Sequence, residues 1–332
     1  MMDALPTADD VADAAARIAG HAFRTPLLRN PRLDAATGAT VHLKPENMQR
    51  IGAFKFRGAY NALSRLPGDV RAAGILAASS GNHAQGVAEA ARLLGVPATI
   101  VMPHDAPLVK VAGVKRAGGQ IITYDRAHED RQTVSQRVHD AQGGIFIHPF
   151  DNPDVIAGQG TVGREVADDM AATNADVDVV VVPCGGGGLT AGICLSIHDR
   201  YPKAAIYAVE PEAFDDTARS FRSGVREVNA HAAGSVCDSL LSPQPGEITF
   251  AINHAHLADV VTVSDTDACA AVAFAWDALK TVVEPGGAVA LAAVLGGKIP
   301  VAGRTVVIVL SGGNVDAELF AEILAAPRHF NA

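Results

Sequence analysis

Asp178-Val-Val-Val-Val-Pro-Cys-Gly-Gly-Gly-Gly-Leu-Thr-Ala191 passes, within fourteen residues, from an apolar run to a glycine turn to a helical stretch. Four consecutive valines suit a strand buried on both faces, the usual state of a strand in a parallel sheet. Gly185, Gly186, Gly187 and Gly188 would then present backbone N–H groups at a helix N-terminus, where the dipole favours an anion. Consecutive glycines also allow the dihedral angles needed to wrap those groups around a phosphate. No Lys-Ser/Thr pair follows, which excludes a nucleoside-triphosphate loop. A dinucleotide loop stays open, because Gly186, Gly188 and Ala191 satisfy G-x-G-x-x-A and Glu210 falls where a ribose-binding acid would lie.

Outward from this turn, the same strand–helix alternation repeats. Short apolar runs predict strands over Gly74–Ala78, Ala98–Met102, Gln120–Tyr124, Asp178–Pro183, Ala205–Val209, Asp259–Val263 and Thr305–Leu310. Alanine-rich stretches between them predict helices over Asn82–Leu94, Ala106–Ala117, Glu129–Ala141, Asp154–Ala171, Leu189–Asp199, Asp265–Leu279 and Val315–Leu324. The alternation specifies an α/β architecture with helices covering the sheet faces. Two strand–helix series are visible with no Ser/Gly linker between them, so one domain inserted in another fits as well as two in a row. Few residues follow the last helical stretch, so no C-terminal regulatory domain is expected.

Composition bounds the function. Among 332 residues, 48% are hydrophobic and 19% charged, enough apolar material for a packed core. A net charge of -9 leaves no basic surplus to meet nucleic-acid phosphates. Cys184, Cys194, Cys237 and Cys269 show no metal-type spacing and read as small buried residues. The start of the chain is acidic and alanine-rich rather than signal-like, and no apolar span reaches membrane length, so a cytoplasmic location is expected.

Three further stretches carry candidate chemistry. Lys55 lies in Gly52-Ala-Phe-Lys-Phe-Arg-Gly-Ala59, at the expected start of a helix ending near Leu66. Apolar surroundings disfavour a charged amine, and a neutral amine attacks carbonyls; a lysine exposed on an amphipathic helix is the alternative. Ser79-Ser80-Gly81-Asn82-His83 forms a second strand–helix turn, rich in donors suited to a carboxylate, unless a serine simply caps the helix. Leu310-Ser-Gly-Gly-Asn314 follows another buried strand and would place the Ser311 hydroxyl at the carboxyl edge of the sheet.

Taken together, these four motifs resemble the fold-type II pyridoxal-phosphate enzymes, specifically the threonine/serine dehydratase and serine racemase group. His42-Leu-Lys-Pro-Glu-Asn47, Val155-Ile-Ala-Gly-Gln-Gly-Thr161 and Val283-Glu-Pro-Gly-Gly-Ala288 extend the resemblance over nearly the whole chain. It implies two open α/β domains with twisted, mostly parallel sheets: a large one from residues 1–63 and 151–332, and a small one inserted at 64–150. It implies pyridoxal 5′-phosphate as cofactor, joined to Lys55 as a Schiff base. By the same resemblance Gly185–Gly188 hold its phosphate, Asn82 meets its 3′-oxygen, Phe54 lies beside its ring and Ser311 faces the pyridine nitrogen. A neutral hydroxyl at that nitrogen gives a weaker electron sink than a carboxylate, favouring prompt β-elimination over transamination.

For the substrate, the resemblance places Ser79, the adjacent N–H groups and His83 at the carboxylate, with Arg131 reaching the same region. Arg131 as a solvated helix charge is the alternative. Ser80 matches the racemase serine opposite the lysine, where many dehydratases carry alanine, and a second proton donor there permits racemisation. Glu210, Phe214 and Asp216 resemble a cation site for Mg²⁺ or Ca²⁺, with an ion-free acidic loop as the alternative. Ile51, Ala53 and Phe150 depart from the family pattern. The expected activity is dehydration of L-threonine or L-serine to a 2-oxo acid and ammonia by a homodimer. Serine racemisation, 3-hydroxyaspartate dehydration and, in a different class, NAD-dependent oxidoreduction are the alternatives.

Overall fold

The computed structural model describes residues 5–126, 128–326 and 330. Ten strands follow in chain order: β1 (Leu28–Arg29), β2 (Thr40–Pro45), β3 (Ile75–Ala78), β4 (Ala98–Pro103), β5 (Gln120–Tyr124), β6 (Ile145–Phe146), β7 (Val179–Pro183), β8 (Ala205–Pro211), β9 (Asp259–Val263) and β10 (Thr305–Leu310). They form a six-stranded sheet of order β1-β2-β10-β7-β8-β9 and a four-stranded sheet of order β5-β4-β3-β6. Every pairing is parallel except β1 with β2. All strands of the smaller sheet fall between residues 75 and 146, and on that ground we propose the inserted domain at 64–150.

The valine run behaves as a strand covered on both sides. Val179 and Val181 enter one apolar cluster, with Val306 and Ile308 of β10, while Val180 and Val182 enter the opposite one with Val307 and Val309. Each such side chain contributes about 1.5–3 kcal/mol on burial, so the central strands are fixed by both layers at once. The first cluster is filled by the helix Pro285–Leu295, of which all but the last residue are buried. The second is covered by the helices Pro153–Ala172 and Gly188–Arg200.

Glycines let three helices touch backbone to backbone. A Cβ on Gly158 would lie 2.6 Å from Gly58 Cα, and one on Gly192 would lie 2.5 Å from Gly160 N. The helix Pro153–Ala172 therefore ties the helix Lys55–Arg65 to the helix Gly188–Arg200, and the first residues of those two helices face the same cleft. In both sheets the cleft lies at the carboxyl ends of strands where the winding order reverses: β10 beside β7, and β3 beside β6. Such switch points are where open α/β sheets bind ligands. No helix among the described residues is long and apolar enough to cross a membrane.

Candidate active site

Lys55 is presented by a strand-like approach. Ala53 bridges Gly312, Phe54 N donates to Ser311 O at 3.2 Å, and Gly313 N donates to Gly52 O at 2.8 Å. The lysine loop and the Ser311 turn are thus one hydrogen-bonded unit. Two residues on, Arg57 is fully buried, with its guanidinium 2.8 Å from Glu46 and 2.7 Å from Glu165. Lys44, also buried, bonds Glu165 at 2.6 Å. Two cations matched by two carboxylates lock the start of the helix, since removing any one would leave a buried charge unpaired.

The Lys55 amine donates to Pro149 O at 2.8 Å and lies 5.1 Å from the Phe54 ring centroid. Among the described residues it makes no ion pair. Desolvation draws its pKa from 10.5 to about 8. At pH 7 an ordinary lysine is almost wholly protonated, whereas this shift raises the free-amine fraction roughly three-hundredfold. The expectation of a lysine in apolar surroundings, rather than an exposed one, fits this geometry.

Besides the helix that Lys55 opens, two helices begin at the cleft with no side chain capping their free N–H groups. One is Gly188–Arg200, where Gly187 adopts φ +89. The outer side of its glycine turn is fastened: Thr249 Oγ1 donates to Gly186 O at 2.7 Å and Asn253 Nδ2 to Gly187 O at 3.3 Å. A side chain on Gly186 would collide with the Phe150 ring. With the carbonyls held outward, the cleft side is left to the amides, the arrangement an anion needs. The other helix is Asn82–Leu94, also uncapped. Ser79 Oγ accepts from Gly81 N at 3.1 Å, so the serine closes the turn instead of capping the helix.

Phe54, Ser79, Ser80, Asn82, His83, Arg131 and Ser311 line this same cleft with Lys55 and the four glycines. Asn82 Nδ2 donates to Glu284 at 2.5 Å and its Oδ1 accepts from Asn314 at 2.8 Å, which leaves one amide N–H uncommitted. Glu284 in turn meets Lys110 at 2.9 Å, and Lys110 meets Asp238 at 2.6 Å. Neither the Arg57 nor the Lys110 network is visible in the spacing of the chain, because each joins residues far apart in sequence. Arg131 opens the helix Arg131–Gln142 and makes no ion pair among the described residues.

His83 corrects one expectation. Its Nε2 sits 3.0 Å from Ile147 O, and a carbonyl only accepts, so Nε2 carries the proton. Nδ1 is then a bare acceptor, buried and without a partner. Burial, reinforced by the nearby Lys55 charge, pushes its pKa down to about 3. The ring is neutral and cannot donate from Nδ1 to a carboxylate; only the backbone N–H of His83 is suited to that task.

Glu210 corrects another. It is fully buried, and its two oxygens accept from Thr217 N at 3.1 Å and Ala218 N at 2.9 Å. Fully buried and apart from the residues that line the cleft, Glu210 is not placed to meet a ribose there, which removes the dinucleotide reading. Asp216 lies in the same buried pocket, with Oδ1 2.5 Å from Asn229 Nδ2 and Oδ2 without a partner. Burial raises the pKa of Glu210 well above its ordinary value, with the neighbouring Asp216 charge adding to the shift; burial brings Asp216 to about 7. Phe214 is buried in the loop between them. An orphaned oxygen beside a second acid fits a hard cation, although no group of three or more His, Cys, Asp or Glu side chains gathers among the described residues.

A family model described as pyridoxal-phosphate dependent enzyme matches residues 18–312. The chain is 43% identical to an L-threo-3-hydroxyaspartate ammonia-lyase from Saccharomyces cerevisiae over 97% of each chain. It is 41% identical to a serine racemase from Schizosaccharomyces pombe, covering 97% of this chain and 98% of that one. The structure of maize serine racemase superposes with a TM-score of 0.90 at 36% identity, covering 97% of this chain and 98% of that one.

Proposed function

Because the chain belongs to the pyridoxal-phosphate-dependent enzymes, we propose that it is an ammonia-lyase dehydrating a small β-hydroxy amino acid. The observation that carries this reading is the Lys55 amine, 2.8 Å from Pro149 O and without an ion pair among the described residues, in a cleft where uncapped helix N-termini converge. Pyridoxal phosphate, when bound, supplies an aldehyde for the amine and a conjugated ring that takes up negative charge from Cα.

The residues fit that group. Lys55 Nζ would hold the aldehyde, the amides of Gly185–Gly188 the phosphate, with Phe54 beside the ring and the free N–H of Asn82 available to the 3′-oxygen. Ser311 meets the ring nitrogen with a neutral hydroxyl that makes no hydrogen bond within the described protein. The Lys55 amine, whose pKa burial draws down to about 8, would be suited to accept the Cα proton at Nζ. The helix start at Ser79–His83 holds the substrate carboxylate through its N–H groups and the Ser79 hydroxyl, leaving the Ser80 hydroxyl free to serve Cα from the side opposite Lys55. Loss of the β-hydroxyl as water leaves an enamine, which hydrolyses to a 2-oxo acid and ammonia.

For substrate order, we infer a preference other than L-threonine and L-serine as first choice, and two observations support it. An unpaired guanidinium at Arg131 favours a substrate with a second carboxylate, and the yeast relative is named for such a substrate. We therefore place 3-hydroxyaspartate first, with oxaloacetate and ammonia as products. Ser80 in the cleft supports racemisation as the second reading. The test is a panel of 3-hydroxyaspartate, L-threonine, L-serine and D-serine, following oxo-acid release and chirality in wild type and Ser80→Ala. Oxo acid should form fastest from 3-hydroxyaspartate, and Ser80→Ala should lose racemisation while keeping elimination. Release of no oxo acid from any of the four would defeat the lyase assignment, and parallel loss of both activities would defeat the role of Ser80.

We further propose that Glu210, Asp216 and the Phe214 carbonyl hold Mg²⁺ or Ca²⁺. Binding to the folded state alone raises its melting temperature. Mg²⁺ should therefore raise the Tm of the wild type by several degrees and leave that of Asp216→Asn unmoved; an equal rise in both would place the ion elsewhere.

A further inference from the structure

The anion cradle holds one more donor than the glycines account for. Thr190 stands at the third position of the helix Gly188–Arg200 and lines the cleft with no exposed surface. Its Oγ1 is buried and makes no hydrogen bond. A threonine in a helix ordinarily satisfies its hydroxyl on a carbonyl three or four residues back. For Thr190 those are Gly187 O and Gly186 O. Both are already taken: Gly187 O by Ala191 N at 2.9 Å and Asn253 Nδ2 at 3.3 Å, Gly186 O by Thr249 Oγ1 at 2.7 Å and Gly246 N at 3.5 Å. Its polar neighbour Cys184 offers only a weak sulfur contact, and that thiol also touches Gly185 O at 3.5 Å and Thr217 Oγ1 at 3.7 Å.

Helical side chains lean back toward the N-terminus of their own helix. The hydroxyl of Thr190 is thus carried toward the glycine turn, where the helix dipole already gathers negative charge. A desolvated hydroxyl without a partner is costly, and buried polar groups in folded proteins almost always have one. From these observations we propose that Thr190 Oγ1 donates a hydrogen bond to the cofactor phosphate, adding a side-chain donor to the four glycine amides. The inference rests on the pyridoxal-phosphate reading and extends it to a residue that the glycine pattern does not include.

The test compares pyridoxal phosphate with pyridoxal, which has the same ring and aldehyde but no phosphate. Each is titrated into the full-length chain freed of cofactor, as wild type, Thr190→Val and Thr190→Ser. Thr190→Val keeps the shape and removes the donor, and should weaken pyridoxal phosphate about tenfold to a hundredfold, the range for a hydrogen bond to a charged group. Pyridoxal affinity should be unchanged, and Thr190→Ser should stay within about threefold of wild type for both. Unaltered pyridoxal phosphate affinity in Thr190→Val would overturn the proposal. Equal losses for both vitamers would also overturn it, by showing that the side chain only packs. Should the valine variant fail to fold, Thr190→Ala is read in the same way. A wild type that binds neither vitamer would instead defeat the cofactor reading itself.

Discussion

Lys55→Ala should lower turnover of the preferred hydroxy amino acid by at least about 10⁴-fold, because the same nitrogen serves as covalent anchor and as base. Lys55→Arg should fare no better, since a guanidinium keeps its proton throughout the accessible range. A stability measurement separates this loss from misfolding. The pKa of Lys55 is lowered from 10.5 to about 8 on folding. Between those values the unfolded chain binds more protons than the folded one, so stability rises with pH across that window. Below pH 8 the burial penalty is present in full. The cofactor-free Lys55→Ala variant should therefore melt above the wild type at pH 7, and its advantage should shrink toward pH 10.5. A variant that melts below the wild type at pH 7 would mean that the amine is not desolvated.

Arg131→Met should cost about a hundredfold in kcat/KM for 3-hydroxyaspartate, the scale of a charge-assisted contact to a carboxylate. L-Threonine and L-serine should change by less than about threefold, having no second anion to lose. The neutral side chain leaves the helix start intact, because Asp130 caps it through Thr133 N at 2.8 Å. Equal loss on all three substrates would return Arg131 to the α-carboxylate they share. Discrimination of this kind comes from removing a partner the other substrates never had.

Much of this arrangement was legible in the chain. The valine run of β7 and the strand β10 announce themselves because strands buried on both faces are continuously apolar. The three turns that follow β3, β7 and β10 could be named as a site before their distances were known, since each places amides or a hydroxyl at a sheet's carboxyl edge. The misses have physical causes. The helix Pro285–Leu295 carries no amphipathic stripe because it is buried nearly all round, so periodicity had nothing to detect. Strand β2 hides behind Lys44, a charge that reads as surface until Glu165, 121 residues away, is brought against it. Strand β6 is two residues long and pairs with only Ile75 and Leu76.

Roles were harder to read than places. Glu210 sits at the position a ribose-binding acid would take, and only folding shows that it is buried beside Thr217 and Ala218, apart from the cleft lining. His83 looks like a donor in the sequence and becomes an acceptor once Ile147 O fixes its proton. Arg57 and Lys110 lie near the named motifs, yet their importance depends on carboxylates from distant segments. Spacing along a chain reports which backbone turns recur, while protonation and pairing are decided by what folding brings alongside.

The most direct measurement is to incubate the full-length protein with pyridoxal phosphate, reduce it with borohydride and map the modified peptide by mass. The predicted result is a single stable adduct on Lys55, absent from Lys55→Ala. An adduct on another lysine, or none at any, would contradict the assignment of this cleft.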